Sequence, residues 1–506
     1  MSTKKIEIMD TTLRDGEQTS GVSFAANEKL TIAQLLLEEL KVDRIEIASA
    51  RVSQGEFNAV KNITNWATSQ QHLDKIEVLT FVDGGTSIQW MEDAGAKVQN
   101  LLTKGSLNHL TYQLRKTPEE HFSEIAETIQ LAQAKGIATN VYLEDWSNGM
   151  RDSRNYVYQY LDFIAQQPVK RVMLPDTLGI LTPKESFEYL QEIKQKYPNL
   201  HLDFHCHNDY DLSVANAMEA IKGGADGLHL TLNGMGERAG NAPLASVVAC
   251  VNDFMPAYKI EVNETALYKV SKLVEAFTGF KIPESKPIVG ENVFTQTAGI
   301  HADGDNKKNL YFNDLLPERF GRKRKYALGK TSGKANIQKN LSELGIQLTD
   351  AELKKVTARV IELGDKKELV TQHDLPYIIS DVLNSDTIDD KKVNIVSYVL
   401  THAKGLRPST TVALSFDGEV VEETASGDGQ YDAFIKALKK IYQKKKLDLP
   451  RLTDYAVRIP PGSHSDALCE TVITWNLNGK EYKTRGLDSD QTVSAIMATE
   501  KMLNII

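Results

Sequence analysis

Between residues 5 and 275 the chain alternates, eight times over, a short apolar run with a segment of helical periodicity. The runs are KIEIMDTT (5–12), RIEIAS (44–49), IEVLTFV (76–82), KVQNLLT (97–103), ATNVYLE (138–144), RVMLPDT (171–177), LHLDFHCH (200–207) and GLHLTLN (227–233). Between them lie stretches such as NEKLTIAQLLLEELK and EEHFSEIAETIQLAQAKG, the second ending on a glycine that can cap it. Parallel strands need helical crossovers, and eight strand–helix pairs are the arithmetic of a (β/α)8 barrel. A doubly wound open sheet would use fewer strands and a glycine-rich first turn, whereas the first turn here reads TTLRDGEQ.

Polar residues collect at the C-terminal ends of these runs, the end that carries chemistry in a barrel. Run 1 ends in Asp10, Arg14 and Asp15; run 5 in Glu144 and Asp145; run 6 in Asp176 and Thr177; run 7 in His205 and His207; run 8 in Asn233. Residues two apart in a strand share a face, so His205 and His207 point the same way. A carboxylate from run 1 meeting them would make a two-histidine, one-carboxylate metal site with open positions. The alternative is a pair of hydrogen-bonded core histidines.

Composition narrows the classes. A chain of 506 residues exceeds one ordinary core, and 41% apolar with 25% charged residues is a globular balance. A net charge of −9 argues against nucleic acid as a partner, and no apolar run is long enough to span a bilayer. Three scattered cysteines and an N-terminus without a signal-like apolar stretch make a reducing, cytoplasmic location the expectation.

After the barrel the texture changes. Residues 276–330 are rich in glycine, proline and charge, 331–390 read as helices, and 391–506 contain an internal duplication. Each half of the duplication reads βββα, with hairpin turns at Asp417-Gly418 and Asn478-Gly479. The segment RFGRKRKYALGKTSGK carries seven basic residues, which suit either a solvated loop or an anion site. Its LGKTSG is not a P-loop, because Arg324 stands where the first glycine is required. Glycines in NGMGERAGN (233–241), following run 8, allow close backbone approach to a ligand or a plain turn.

Together DTTLRDGEQ (10–18), HCHND (205–209), NGMGERAGN (233–241) and GIHADG (299–304) resemble the signatures of the 2-isopropylmalate, citramalate and homocitrate synthases, metal-dependent barrel enzymes. The resemblance covers the whole chain. TLRDGEQTSGVSF, NVYLEDWSNG, DYDLSVANA and VGENVFTQTAGIHADGD are similar to the citramalate-forming members.

The resemblance implies condensation of acetyl-CoA with a 2-oxo acid over a divalent ion (Mn²⁺, Mg²⁺, Co²⁺ or Zn²⁺). It assigns Asp10, His205 and His207 as metal ligands with Asn241 near the ion, and Arg14 to the 2-oxo oxygen. Asp15 is placed at the substrate, and Thr177 at its carboxylate. Glu144, His301 and Tyr311 match the groups that handle the acetyl proton. Leu79, Leu102 and Tyr142 match the substrate-side pocket, where bulk suits pyruvate rather than 2-oxoisovalerate, and none of the three pairs with a second carboxylate. The implied organisation is a catalytic barrel (1–275), a linker subdomain (276–330) reaching the neighbouring subunit's site in a homodimer, a helical subdomain (331–390) and a regulatory domain (391–506). The regulatory domain would bind isoleucine, with leucine the alternative. The rival readings are a 2-isopropylmalate synthase, a metal-dependent lyase or aldolase, and a non-enzymatic amino-acid sensor.

Overall fold

The structure, a computed structural model, describes residues 3–306, 310–365, 370, 372, 375–383, 393–458, 469–477, 480–488 and 490–504. It divides into two compact units, Met1–Thr295 with Phe312–Arg324, and Gln296–Tyr311 with Lys325–Ile506.

The first unit is a closed eight-stranded barrel. Its strands are β1 (Glu7–Asp10), β2 (Arg44–Ser49), β3 (Ile76–Phe81), β4 (Val98–Lys104), β5 (Ala138–Glu144), β6 (Val169–Asp176), β7 (Leu202–Cys206) and β8 (Gly227–Leu230). The barrel closes where β8 pairs in parallel with β1, Gly227 opposite Glu7 and Leu230 opposite Asp10. Alternation within each strand separates two environments. Ile45, Ile47, Val78, Leu101, Val141, Leu174 and Leu228 belong to the large apolar core in which strands and helices pack. Their sequence neighbours form a largely polar barrel interior. There Arg44 pairs with Glu77 at 2.8 Å and with Asp203 at 2.7 Å, all three buried. Above this charged layer lies a small apolar cluster, Met9, Leu79, Tyr142 and Met173, with Leu102 packed against it. Buried charges persist only when paired, and these are.

Two arginines of the basic segment have structural work in this unit. Arg319 bonds Asp253 at 2.5 Å and also pairs with Glu264. Arg322 is buried, donates to the carbonyls of Ile288, Gly290 and Glu291 at 2.6–2.9 Å, and stacks over Tyr268.

In the second unit, helices Lys334–Glu343, Asp350–Asp365 and Leu375–Leu383 share a core that includes Ile337, Leu341, Val356, Val360 and Ile379. The duplicated region folds as two antiparallel three-stranded sheets. They are β9 (Val393–Thr401), β10 (Ser409–Phe416) and β11 (Glu419–Ser426), then β12 (Arg451–Arg458), β13 (Cys469–Leu477) and β14 (Lys480–Asp488). Each is followed by a helix, Gln430–Lys444 and Gln491–Leu503. Leu414, Phe434 and Leu438 from the first half join Ile473, Trp475 and Ile496 from the second in one apolar cluster, so the repeats make a single domain. Asp417 (φ 49°) and Gly418 (φ 89°) both adopt positive φ, as a type I′ hairpin requires. The expected turn at Asn478-Gly479 lies outside the described residues. Among the described residues no helix is long and apolar enough to cross a membrane.

Candidate active site at the barrel mouth

After β1 the chain turns sharply: the N–H groups of Arg14, Asp15 and Gly16 all reach the carbonyl of Thr11, at 3.2, 2.9 and 3.1 Å. This turn carries Arg14 and Asp15 back over the mouth of the barrel. Asp15 Oδ2 lies 3.2 Å from His205 Nε2 and 3.8 Å from His207 Nε2. Among the described residues, Asp15, His205 and His207 form the cluster whose candidate ligand atoms all fall within 4.8 Å of one another, and all three are buried.

The carboxylate facing the imidazoles is therefore Asp15, whereas the resemblance assigns Asp10 to that place. Asp10 Oδ1 accepts the N–H of Thr12 at 2.9 Å. Burial pushes its carboxyl up to about 7, against the pull of the Thr12 and Leu232 N–H groups. At Asp15 burial pushes the carboxyl up, but Arg14 and the contact with His205 outweigh it and hold the carboxyl well below the usual range. Burial pushes His207 down to about 4, leaving the neutral ring that a metal needs.

The residues present fit a divalent ion. Asp15 Oδ1 and Asn241 Oδ1 are buried without a hydrogen-bond partner, although few buried polar atoms go unsatisfied. Asn241 pairs with His207 in an isolated bridge, and its Nδ2 donates to the Met235 carbonyl at 3.0 Å, which leaves the amide oxygen free. Gly236 is needed for this: a Cβ there would lie 2.2 Å from Asn241 Nδ2.

The same mouth holds a cavity of about 170 Å³, lined among others by Arg14, Asp15, Leu79, Leu102, Tyr142, Glu144, Thr177 and the two histidines. Arg14 is fixed by Glu46, its Nε donating to Oε2 at 2.6 Å. Burial opposes the guanidinium charge, but Glu46 and Asp15 more than restore it. Glu46 in turn accepts from Thr11 at 2.7 Å and Asn100 at 2.8 Å. Thr177 Oγ1 accepts the N–H of Asp145 at 2.9 Å, so its own proton remains available. Arg238, from the glycine-rich loop, donates to the Thr177 carbonyl at 2.8 Å and pairs with Asp209. Glu144 is paired with Lys104. Tyr142 Oη lies 2.8 Å from His229 Nδ1, and burial keeps His229 below its ordinary pKa and hence neutral.

Other polar strand ends have structural partners. Asp176 accepts the N–H groups of Ile180 and Leu181, and Asn233 Nδ2 bonds the Ser271 carbonyl at 3.0 Å. His301 and Tyr311 belong to the second unit, where their rings lie 4.2 Å apart and His301 Nδ1 sits 3.1 Å from Gln296 Oε1. Gln18 and Glu237 also line the cavity and were not foreseen, nor were Glu46 and His229 behind it. The last two had a signal: each is a polar residue between two apolar neighbours in a strand.

A closed parallel barrel with two imidazoles and a carboxylate at its C-terminal mouth defines a class of metal-binding barrel proteins. A family model described as HMGL-like matches residues 5–274, one described as homocitrate synthase post-HMGL domain-like matches 288–368, and the LeuA allosteric (dimerisation) domain matches 369–506. The chain belongs to the HMGL-like family, among the citramalate and 2-isopropylmalate synthases. It is 33% identical to the (R)-citramalate synthase of Methanocaldococcus jannaschii, over 99% of both chains. It is 32% identical to the same organism's 2-isopropylmalate synthase, over 99% of this chain and 95% of that one. The 2-isopropylmalate synthase of Pyrococcus furiosus is 33% identical over 99% of both.

Proposed function

We propose that the protein condenses acetyl-CoA with pyruvate, giving (R)-citramalate and CoA. The observation that carries this reading is the cavity wall. Leu79, Leu102 and Tyr142 line the cavity of about 170 Å³ together with the imidazoles, and their bulk favours a short apolar side chain. They offer no cation to a second carboxylate.

In this reading Asp15, His205, His207 and Asn241 hold a divalent ion, which when bound supplies a Lewis acid and a template for the 2-oxo acid. Arg14, locked by Glu46, donates to the 2-oxo oxygen as negative charge develops there. Thr177 donates its free proton to the substrate carboxylate. The proton leaving the acetyl methyl goes to a base among Glu144 and, reaching in from the neighbouring subunit of the homodimer, His301 and Tyr311, which single substitutions would separate. The C-terminal domain binds a branched-chain amino acid, isoleucine first and leucine second, and slows a homodimeric enzyme.

The test is release of free CoA thiol from acetyl-CoA with each 2-oxo acid. Pyruvate should exceed 2-oxoisovalerate in kcat/KM by at least about 10–200-fold, the range that a single methylene commands. Equal or reversed values would favour the second reading, a 2-isopropylmalate synthase, which has support in the near-equal identity to relatives of that name.

A further inference from the structure

Behind the cavity wall a chain of buried side chains runs from Tyr142 through His229 and Asp203 to Arg44. Tyr142 is 3% exposed, His229 1% and Asp203 0%. We propose that His229 is a positioning residue that accepts a hydrogen bond from the Tyr142 phenol, fixing the ring as a rigid wall and leaving the phenolic proton unavailable to substrate. The cavity then selects a short, apolar 2-oxo acid side chain. This deepens the proposed function and rests on the 2-oxo acid occupying this cavity.

The direction of the hydrogen bonds follows from the far end. Arg44 Nη2 donates to Asp203 Oδ2 at 2.7 Å, and Asp203, an ionised carboxylate, can only accept. Its 3.1 Å contact with His229 Nε2 therefore places the proton on that nitrogen. A neutral imidazole protonated at Nε2 offers a lone pair at Nδ1. The 2.8 Å contact with Tyr142 Oη then requires the phenol to donate. The Oη atom also faces Arg14 Nη2 at 3.5 Å, a donor that addresses its lone pair. Edge contacts to His205 and His229, with ring centroids 6.2 and 5.4 Å away, hold the ring upright between them. A phenol so committed cannot donate to a carboxylate or hydroxyl on the substrate's tail.

The experiment uses the full chain and two conservative variants. The amide of His229→Asn stands near the position of Nδ1 and retains a partner for Tyr142. That of His229→Gln stands near Nε2 and retains the Asp203 contact while losing Tyr142. CoA release is measured with pyruvate, 2-oxobutyrate, 2-oxoisovalerate and 2-oxoglutarate. H229Q should raise the KM for pyruvate about tenfold with little change in kcat, and narrow the preference for pyruvate over longer acids by about tenfold; H229N should restore both. In a Tyr142→Phe background the two variants should become indistinguishable, since no phenolic proton remains to be placed. Equal behaviour of H229N and H229Q in the wild-type background, or a uniform fall in kcat for every acid, would overturn the proposal. If the His229 variants do not fold, Y142F carries the test: it should itself narrow the preference, and an unchanged preference would overturn the proposal. The wild-type ranking of the acids tests the substrate assignment separately, so either idea can fail without the other.

Discussion

Asp10 and Asp15 stand at the two ends of one turn, and their surroundings give them different chemistry. Asp10 is held at the strand end by the Thr12 N–H, with its carboxyl pushed up by burial, whereas Asp15 meets two imidazoles and a guanidinium. Asp15→Asn should therefore weaken Mn²⁺ binding, read by titration calorimetry, by at least the 10–100-fold that even outer-shell partners command, on the order-of-magnitude scale of metal sites. Asp10→Asn keeps an oxygen for the Thr12 N–H and should weaken binding far less; the reverse order would restore Asp10 as the ligand. Strand alternation made His205 and His207 legible as a pair facing one way, because period two is a local property. It could not choose between the carboxylates, since Asp15 reaches the imidazoles through a turn that bends three N–H groups onto one carbonyl.

Individual elements carry their own signals. Helix Pro183–Lys196 begins with Thr182 as N-cap, Pro183 in the first turn and Glu185 closing the capping box. Glu185 also receives Arg151 from the helix after β5, through bonds of 2.9 and 2.7 Å, and so ties two helices together. Burial pushes the Glu185 carboxyl up, but Arg151 and Thr182 together carry it down to about 2. With its folded pKa below the unfolded value, the carboxylate stabilises the fold above about pH 4.5. That contribution is lost as the pH falls towards 2. Because the pair is near the surface, screening holds it to about 1 kcal/mol. Glu185→Gln should thus lower the urea midpoint at pH 7 and cost progressively less between pH 4.5 and 2; a pH-independent difference would show that the capping hydrogen bonds, not the charge, matter. The eight strands were legible because apolar runs flanked by amphipathic helices have few other uses. Their polar inward positions, such as Glu46 and His229, were visible as breaks between apolar neighbours, but their partners were not.

Across the molecule, the duplicated C-terminal region has an apolar cluster of its own, distinct from those of the helical segment and the barrel. A chain ending at residue 390 would lose that core and leave the other two. If the region carries the effector site, as we propose, this truncation should abolish inhibition by isoleucine while retaining measurable CoA release. Persistent inhibition would move the effector site elsewhere. Inhibition by leucine alone would change the effector and leave its location standing.

The sequence by itself determined the order of strands and helices, the repeat at the C-terminus, the glycines of the loop after β8 and the shared face of the two histidines. These follow from local periodicity and turn chemistry, which neighbouring residues dictate. Only the tertiary structure decided which carboxylate joins those histidines, that Glu46 pins Arg14, and that Tyr142 meets His229. Such contacts depend on closing β8 against β1 and on a turn that folds back over the barrel, and no local pattern encodes the distance between atoms brought together in that way.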